Sequence, residues 1–303
     1  MSYTAGAIWA YRFTASIWNG LQAEFAKSLS IETNAPVEDM GLSKDGPDGF
    51  PYAIKTTKGT LYVRHVVHAT NGFASHLVPG LRKSIVGARA HMSAQSPGSD
   101  FPNAGGMRSW SIVYGDAFDY VTQRPSASGE PQGDLMVGGG FMRSLKQGVD
   151  QVGLYDDGAT LDTLTVSHIT GIMPATFHPK WGAGAGLKQV WSGILGMTGD
   201  FLPFVGRLPE KLTGRYVKDK GSVSNSTERS GEWIAAGFSG EGMVWAWLCG
   251  AALGIMIAGS EEEELEEVPG RPGGRLAEWF PSELRVSSER LRSSDVANLA
   301  NSI

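Results

Sequence analysis

Gly237-Phe238-Ser239-Gly240-Glu241-Gly242 is the stretch whose residue types and spacing point most directly to chemistry. It separates the apolar run Trp233 to Phe238 from a longer one, Met243 to Ala258, and so predicts a buried strand, a turn at Ser239 to Gly242 and a helix. The first turn of such a helix carries unsatisfied N–H groups and a partial positive charge, which stabilise negative charge on a ligand. Glycines let that ligand approach the backbone. Strand, glycine turn and helix in this order form a ligand-binding unit in α/β proteins. The same residues also fit a plain strand-to-helix turn with Ser239 as its cap. Two look-alikes are excluded: Glu241 stands where the hydrolase G-x-S-x-G needs its last glycine, and Gly182 to Gly186 and Gly138 to Gly140 lack the G-x-G-x-x-G spacing and read as loops.

The chain around this turn has 303 residues, 41% hydrophobic and 19% charged, enough to bury one large core or two smaller ones. Its 41 glycines suggest tight turns around a bound ligand. A net charge of −5 without a Lys/Arg cluster argues against a nucleic-acid partner. The single Cys249 excludes an intramolecular disulfide and a multi-cysteine metal site; no metal is expected, and an intracellular, cytoplasmic setting is. Ala5 to Ala10 lacks a basic region before it and meets Arg12 too soon for a signal peptide, so the Asn225-Ser226-Thr227 sequon reads as a polar loop.

The elements that must position the turn can be read from periodicity. Phe13, Ile17, Leu21, Phe25 and Leu29 recur every four residues and predict an amphipathic helix over Trp9 to Leu29. Ile31 to Val37 is extended, and Tyr52 to Thr56 with Thr60 to His68 form a hairpin that runs into Ala69-Thr70-Asn71-Gly72. Strands at Ile85 to Met92, Ser109 to Tyr114, Tyr120 to Gln123 and Leu135 to Gly138, then a helix at Thr160 to Ile172, give an antiparallel α+β pattern. Met243 to Ala258 falls short of the roughly twenty residues that span a bilayer, and a helix behind a sheet is its expected form. Glu261 to Glu267 is an acidic linker or solvated helix face, Pro269 to Gly274 a loop, and Leu276 onward a polar tail.

Four segments carry a further signal together: Thr33 to Val37 (T-N-A-P-V); His68 to Gly72 with Leu77 and Pro79; Trp191-Ser192-Gly193 through Thr198-Gly199-Asp200 to Pro203 and Gly206; and Gly237 to Met243. In order and spacing they resemble the FAD-dependent oxidoreductases of the D-amino-acid oxidase, glycine oxidase and sarcosine oxidase-like (DAO) family. The resemblance implies an α/β plus α+β fold, with an incomplete Rossmann-like FAD-binding domain (1–82 and 191–260, discontinuous), an antiparallel-sheet substrate domain (83–190), and an acidic linker and tail (261–303). It implies that the Val37 main chain contacts adenine and that Ala69, Thr70, Asn71 and Gly72 lie beside ribose and phosphates. Asp200 is implied as a cofactor contact, and Gly237, Phe238, Ser239, Gly240, Gly242 and Met243 lie under the isoalloxazine, whose reduced form is anionic around N1 and C2=O. Trp191 to Met197 has no cysteine, so FAD would be non-covalent.

Amine dehydrogenation by a flavin needs chiefly the substrate C–H set against N5 and an unprotonated nitrogen. His91, Trp191 and Asp200 are the candidates to line that space, and His91 fits a structural role equally. Arg89-Ala90-His91-Met92 departs from the R-G-Q-M pattern of relatives at Ala90 and His91. Relatives also carry an N-terminal βαβ unit with G-x-G-x-x-G, which this sequence lacks, leaving strands around Val37 and Val66 with unpaired edges and uncovered apolar faces. Three explanations stay open: a partner segment supplies the unit, the chain is a fragment, or FAD has been abandoned. The expected function is oxidation of a C–N bond of an amino acid or secondary amine, with that small molecule as partner and neither nucleic acid nor membrane. The alternative is an inert remnant or a regulatory or binding subunit of the same descent.

Overall fold

The structure, a computed structural model, describes residues 6–115, 117–126, 133–158, 160–217 and 230–301; the Asn225 sequon lies outside them. Mixed α/β architecture with antiparallel sheets is what the sequence pattern led us to expect. The chain divides into two compact units, one of Met1–Glu24 with Ala88–Ile194, the other of Phe25–Gly87 with Leu195–Ile303. The N-terminal helix therefore groups with the antiparallel sheet, and the C-terminal forty residues belong to the second unit.

In the first unit, α1 (Ala10–Glu24) stops five residues short of the expected end and buries none of its residues. Of the second unit's strands, β1 (Val37–Leu42), β2 (Tyr52–Thr56) and β3 (Gly59–Val63) form an antiparallel meander over Met40, Tyr52 and Ile54. The strand expected over Thr60 to His68 breaks at Arg64, and β4 (His65–His68) joins a different sheet. A short helix, α2 (Ala74–Leu77), comes after it.

The first unit's sheet comprises β5 (Val86–Ser96), β6 (Ser109–Tyr114), β7 (Ala117–Gln123), β8 (Leu135–Gly139) and, after α3 (Thr163–Phe177), β9 (Gly186–Met197), in the order β6-β7-β8-β5-β9. Alternation decides which side chains meet α3. Val121, Leu135 and Val137 from the strands pack with Ile169 and Met173 of the helix and with Phe101 and Trp181. Helix α3 begins at Asp162, whose side chain caps it by accepting from Thr165 N at 2.7 Å.

In the second unit β10 (Phe204–Arg207) pairs antiparallel with β11 (Gly231–Ala236), which pairs parallel with β4. Helix α4 (Glu210–Thr213) lies between the first two in sequence. One face of the sheet buries Phe204, Ile234 and Ala236 against Ala74, Val78 and Leu81; the other buries Val205 and Trp233 against α5 (Gly242–Ala258). Among the described residues no helix is long and apolar enough to cross a membrane. The expected tail is folded: α6 (Leu276–Trp279) and α7 (Ser288–Ser293) flank Leu284, and Val286 N donates to Val205 O. Strand β4 is an edge of its sheet among the described residues, and Val67 on it is 47% exposed; of the positions expected to be unpaired and uncovered, Val66 instead packs against the Met40 cluster and Val37 pairs with Thr56 of β2.

Candidate functional site

The second unit brings three of the four signalled segments to one point, the C-terminal ends of the parallel strands β4 and β11, where ligands of open α/β sheets bind. Beyond β11 the chain reverses through Gly237 (φ +79°), Ser239 (φ +49°) and Gly240 (φ +87°). Asn71, beyond β4, holds this reversal: its side-chain oxygen accepts from Gly237 N at 3.0 Å and Phe238 N at 3.1 Å. The third segment closes the knot, with Ser239 N donating to Gly196 O at 2.7 Å and Thr198 N donating to the Ser239 hydroxyl at 3.2 Å. Gly196 is required by crowding, because a Cβ there would strike Asn71 and the Gly72 amide.

Ser239 is thus tied to Thr198 and leaves the start of α5 to Glu241, which makes no side-chain cap. The capped-turn alternative is corrected on that point: left-handed Ser239 turns its hydroxyl back to the Thr198 loop. An ideal Cβ on Gly240 or Gly242 would find no atom closer than 3.9 and 3.8 Å respectively, so a flat group has room to lie against the backbone there. This open turn leads directly into the 17-residue helix α5, whose first-turn amides carry the partial positive charge of a helix N-terminus. Ala69 and Thr70 are exposed at the end of β4, and Gly72 is buried beside Asn71. Met243 is exposed in the first turn of α5. Val37 opens β1, paired with Thr56, and makes no part of the knot.

Asp200 faces Arg290 of α7. The guanidinium donates to its carboxylate through Nε (2.9 Å) and Nη2 (3.2 Å), and to the carbonyls of Pro203, Leu202 and Leu284. Burial by itself would raise this carboxyl; the Arg290 hydrogen bonds and charge, with the Leu202 N–H, hold it below its ordinary 3.8. Nothing in T-G-D foretold an arginine ninety residues away as its partner. A second buried network, His68 with Glu232 at 3.0 Å and Arg215 forked onto Glu232 at 2.7 Å, ties β4 to β11 beneath the turn. Burial opposes ionisation of Glu232, and Arg215 and His68 outweigh it. Cys249 is a core residue whose thiol burial pushes up to about 11.

In the first unit, His91 points to the α3 side. Its Nε2 accepts from Asp162 N at 3.0 Å, and burial followed by the Arg89 charge depresses its basicity, so it serves as a neutral acceptor anchoring the start of α3. Trp191, 38% exposed, stands on the opposite side of the sheet. Sequence reading missed Asp119, fully buried on β7, which accepts from Tyr114 OH (2.9 Å) and Gly140 N (2.7 Å) and meets His168 of α3 at 2.7 Å. A polar residue in step with the core positions Val121 and Val137 was the available signal.

A family model described as FAD dependent oxidoreductase (DAO) matches residues 2–254. No curated protein sequence matches the chain. Among solved structures, amadoriase I from Aspergillus fumigatus, a fructosyl amine:oxygen oxidoreductase, is similar at 11% identity and TM-score 0.50 over 84% of this chain and 50% of that one. L-proline dehydrogenase from P. horikoshii is similar at 20% identity and TM-score 0.46 over 82% and 53%. Glycine oxidase from Geobacillus kaustophilus is similar at 17% and 0.46 over 78% and 51%. The chain spans about half the length of these structures. With the match extending over most of its sequence, the chain belongs to the DAO family of FAD-dependent oxidoreductases.

Proposed function

We propose that this chain carries the flavin-ring site and substrate-bearing sheet of an oxidoreductase that oxidises a C–N bond of an amine or amino acid. The observation that carries the reading is the knot of Asn71, Gly196, Thr198 and Ser239 that fixes the glycine turn at the start of α5. FAD, held non-covalently, supplies the two-electron acceptor. The chain's own residues do the rest. The amides at Gly240, Gly242 and Met243 favour negative charge at the ring edge, the end of β4 at Ala69 to Gly72 lies toward ribose and phosphate, and Val37 toward adenine. With FAD bound, the substrate carbon would give up its hydride to that acceptor and the nitrogen its proton to solvent, leaving a C=N imine. The carboxylate of Asp200 stays with Arg290 and holds the loop that supports Ser239.

The open edge of β4 and the exposed Met243, Val244 and Trp247 of α5 favour one addition: a strand-turn-helix segment from a partner polypeptide, or from sequence outside these residues, lies beside β4 and completes the pyrophosphate site. The visible spectrum of the purified chain, with and without FAD, tests the reading. Flavin bands that stay with the protein and leave on denaturation support it, and an amine screen is then the next step. A folded protein that stays colourless in excess FAD supports instead an inert or regulatory subunit.

A further inference from the structure

The five-stranded sheet sorts its residues by charge. Charged strand residues turn to the α3 side: Arg89 donates to Gln151 and the Thr160 carbonyl, and Asp119 meets His168. The register places Met92, Gly138, Tyr120 and Ser111 in one row across the opposite face, with Val113 and Phe118 paired in the next row. Strand β9, beside β5, adds Trp191 by the same alternation, since the residue before it, Val190, packs toward α3. Among the described residues, every strand position on this face is uncharged.

Gly138 shapes its centre. A Cβ there would collide with the Met92 sulfur and the Tyr120 ring, so both side chains close over bare backbone. Phe118 and Tyr120 stand with ring centroids 6.4 Å apart. Such a surface offers apolar area, a thioether, ring faces that attract cations and a phenol hydroxyl. Burial, with the Asp119 charge behind it, raises the Tyr120 phenol, which keeps its proton and remains a donor.

We propose that this face selects amines that carry an apolar or aromatic group and no free carboxylate. Ring faces and the thioether receive the apolar group, and a protonated or partly charged nitrogen gains from the rings. A carboxylate laid on the same surface meets no charged strand residue to offset whatever hydration it gives up. This inference rests on the proposed amine chemistry and narrows it, since amino acids are then the poorer substrates.

The test is ligand-observed NMR titration of the full chain with N-methylbenzylamine and N-benzylglycine, which differ in the carboxylate, with and without FAD. Binding of the amine roughly tenfold tighter than the amino acid is expected. Tyr120→Ala should weaken the amine, and Met92→Arg should reverse the preference. Equal binding, preference for the carboxylate, or failure of both to bind overturns the inference. Flavin absorbance read on the same samples separates the two proposals: amine selectivity without retained FAD removes only the cofactor reading, and retained FAD with carboxylate preference removes only the selectivity.

Discussion

Asn71 is the single side chain on which the turn most depends, because one amide oxygen satisfies two N–H groups. Replacement by glycine keeps the left-handed backbone (φ +45°) open and removes the acceptor. Asn71→Gly should cost about 1–3 kcal/mol, measured by urea unfolding, and weaken flavin binding by more than stability explains. His91 makes a second test. In the folded chain its basicity is depressed below the ordinary 6.5, so its contribution is present above that pH and is lost as acid protonates the unfolded chain first. His91→Leu should cost about 1–3 kcal/mol at pH 8, by leaving the Asp162 amide without its acceptor, and should flatten the stability decline between pH 7 and 5. Asn-Gly at a strand end was legible as a turn-forming pair. The burial of His91 was not, because one residue's shift along β5 would have put the same ring on the open face.

Arg290 joins α7 to the Thr198–Pro203 loop and hence to the turn. Arg290→Met leaves the Asp200 carboxylate and several carbonyls unpaired and should destabilise the second unit by about 3–5 kcal/mol in chemical denaturation. Because Asp200 is held below its ordinary value, the pair's stabilisation is intact at neutral pH and fades as pH falls below about 4. The variant should lose that acid limb of the stability curve, which a merely smaller core would retain. The strand, turn and helix over Gly231 to Ala258 were legible from apolar runs broken by glycine. The C-terminal elements were not: Leu276, Leu284 and Arg290 are too sparse among polar residues to show a period, and only tertiary contact reveals them as core. Arg64 was similarly hidden, since a continuous Thr60 to His68 strand and two strands in separate sheets have the same alternation.

At the scale of the whole molecule, apolar surface is spread over α1, β4 and α5. Val244 is 67% exposed and Trp247 50% exposed. The chain should bind a hydrophobic dye such as ANS, and Val244→Lys should lower that signal without lowering the unfolding midpoint, as expected for a surface position. Family membership was legible because four separated segments kept their order, although each one is weak by itself. Which atoms those segments place together was hidden until the fold joined residues 71, 196 and 237. The decisive measurement is flavin fluorescence as the full chain is titrated into FAD and, separately, into riboflavin, which has the ring without pyrophosphate or adenosine. Saturable quenching of both, weaker for riboflavin and lost in Asn71→Gly, is the expected result. A folded chain that quenches neither, at any concentration up to millimolar, would contradict a ring site at the Gly237–Gly242 turn.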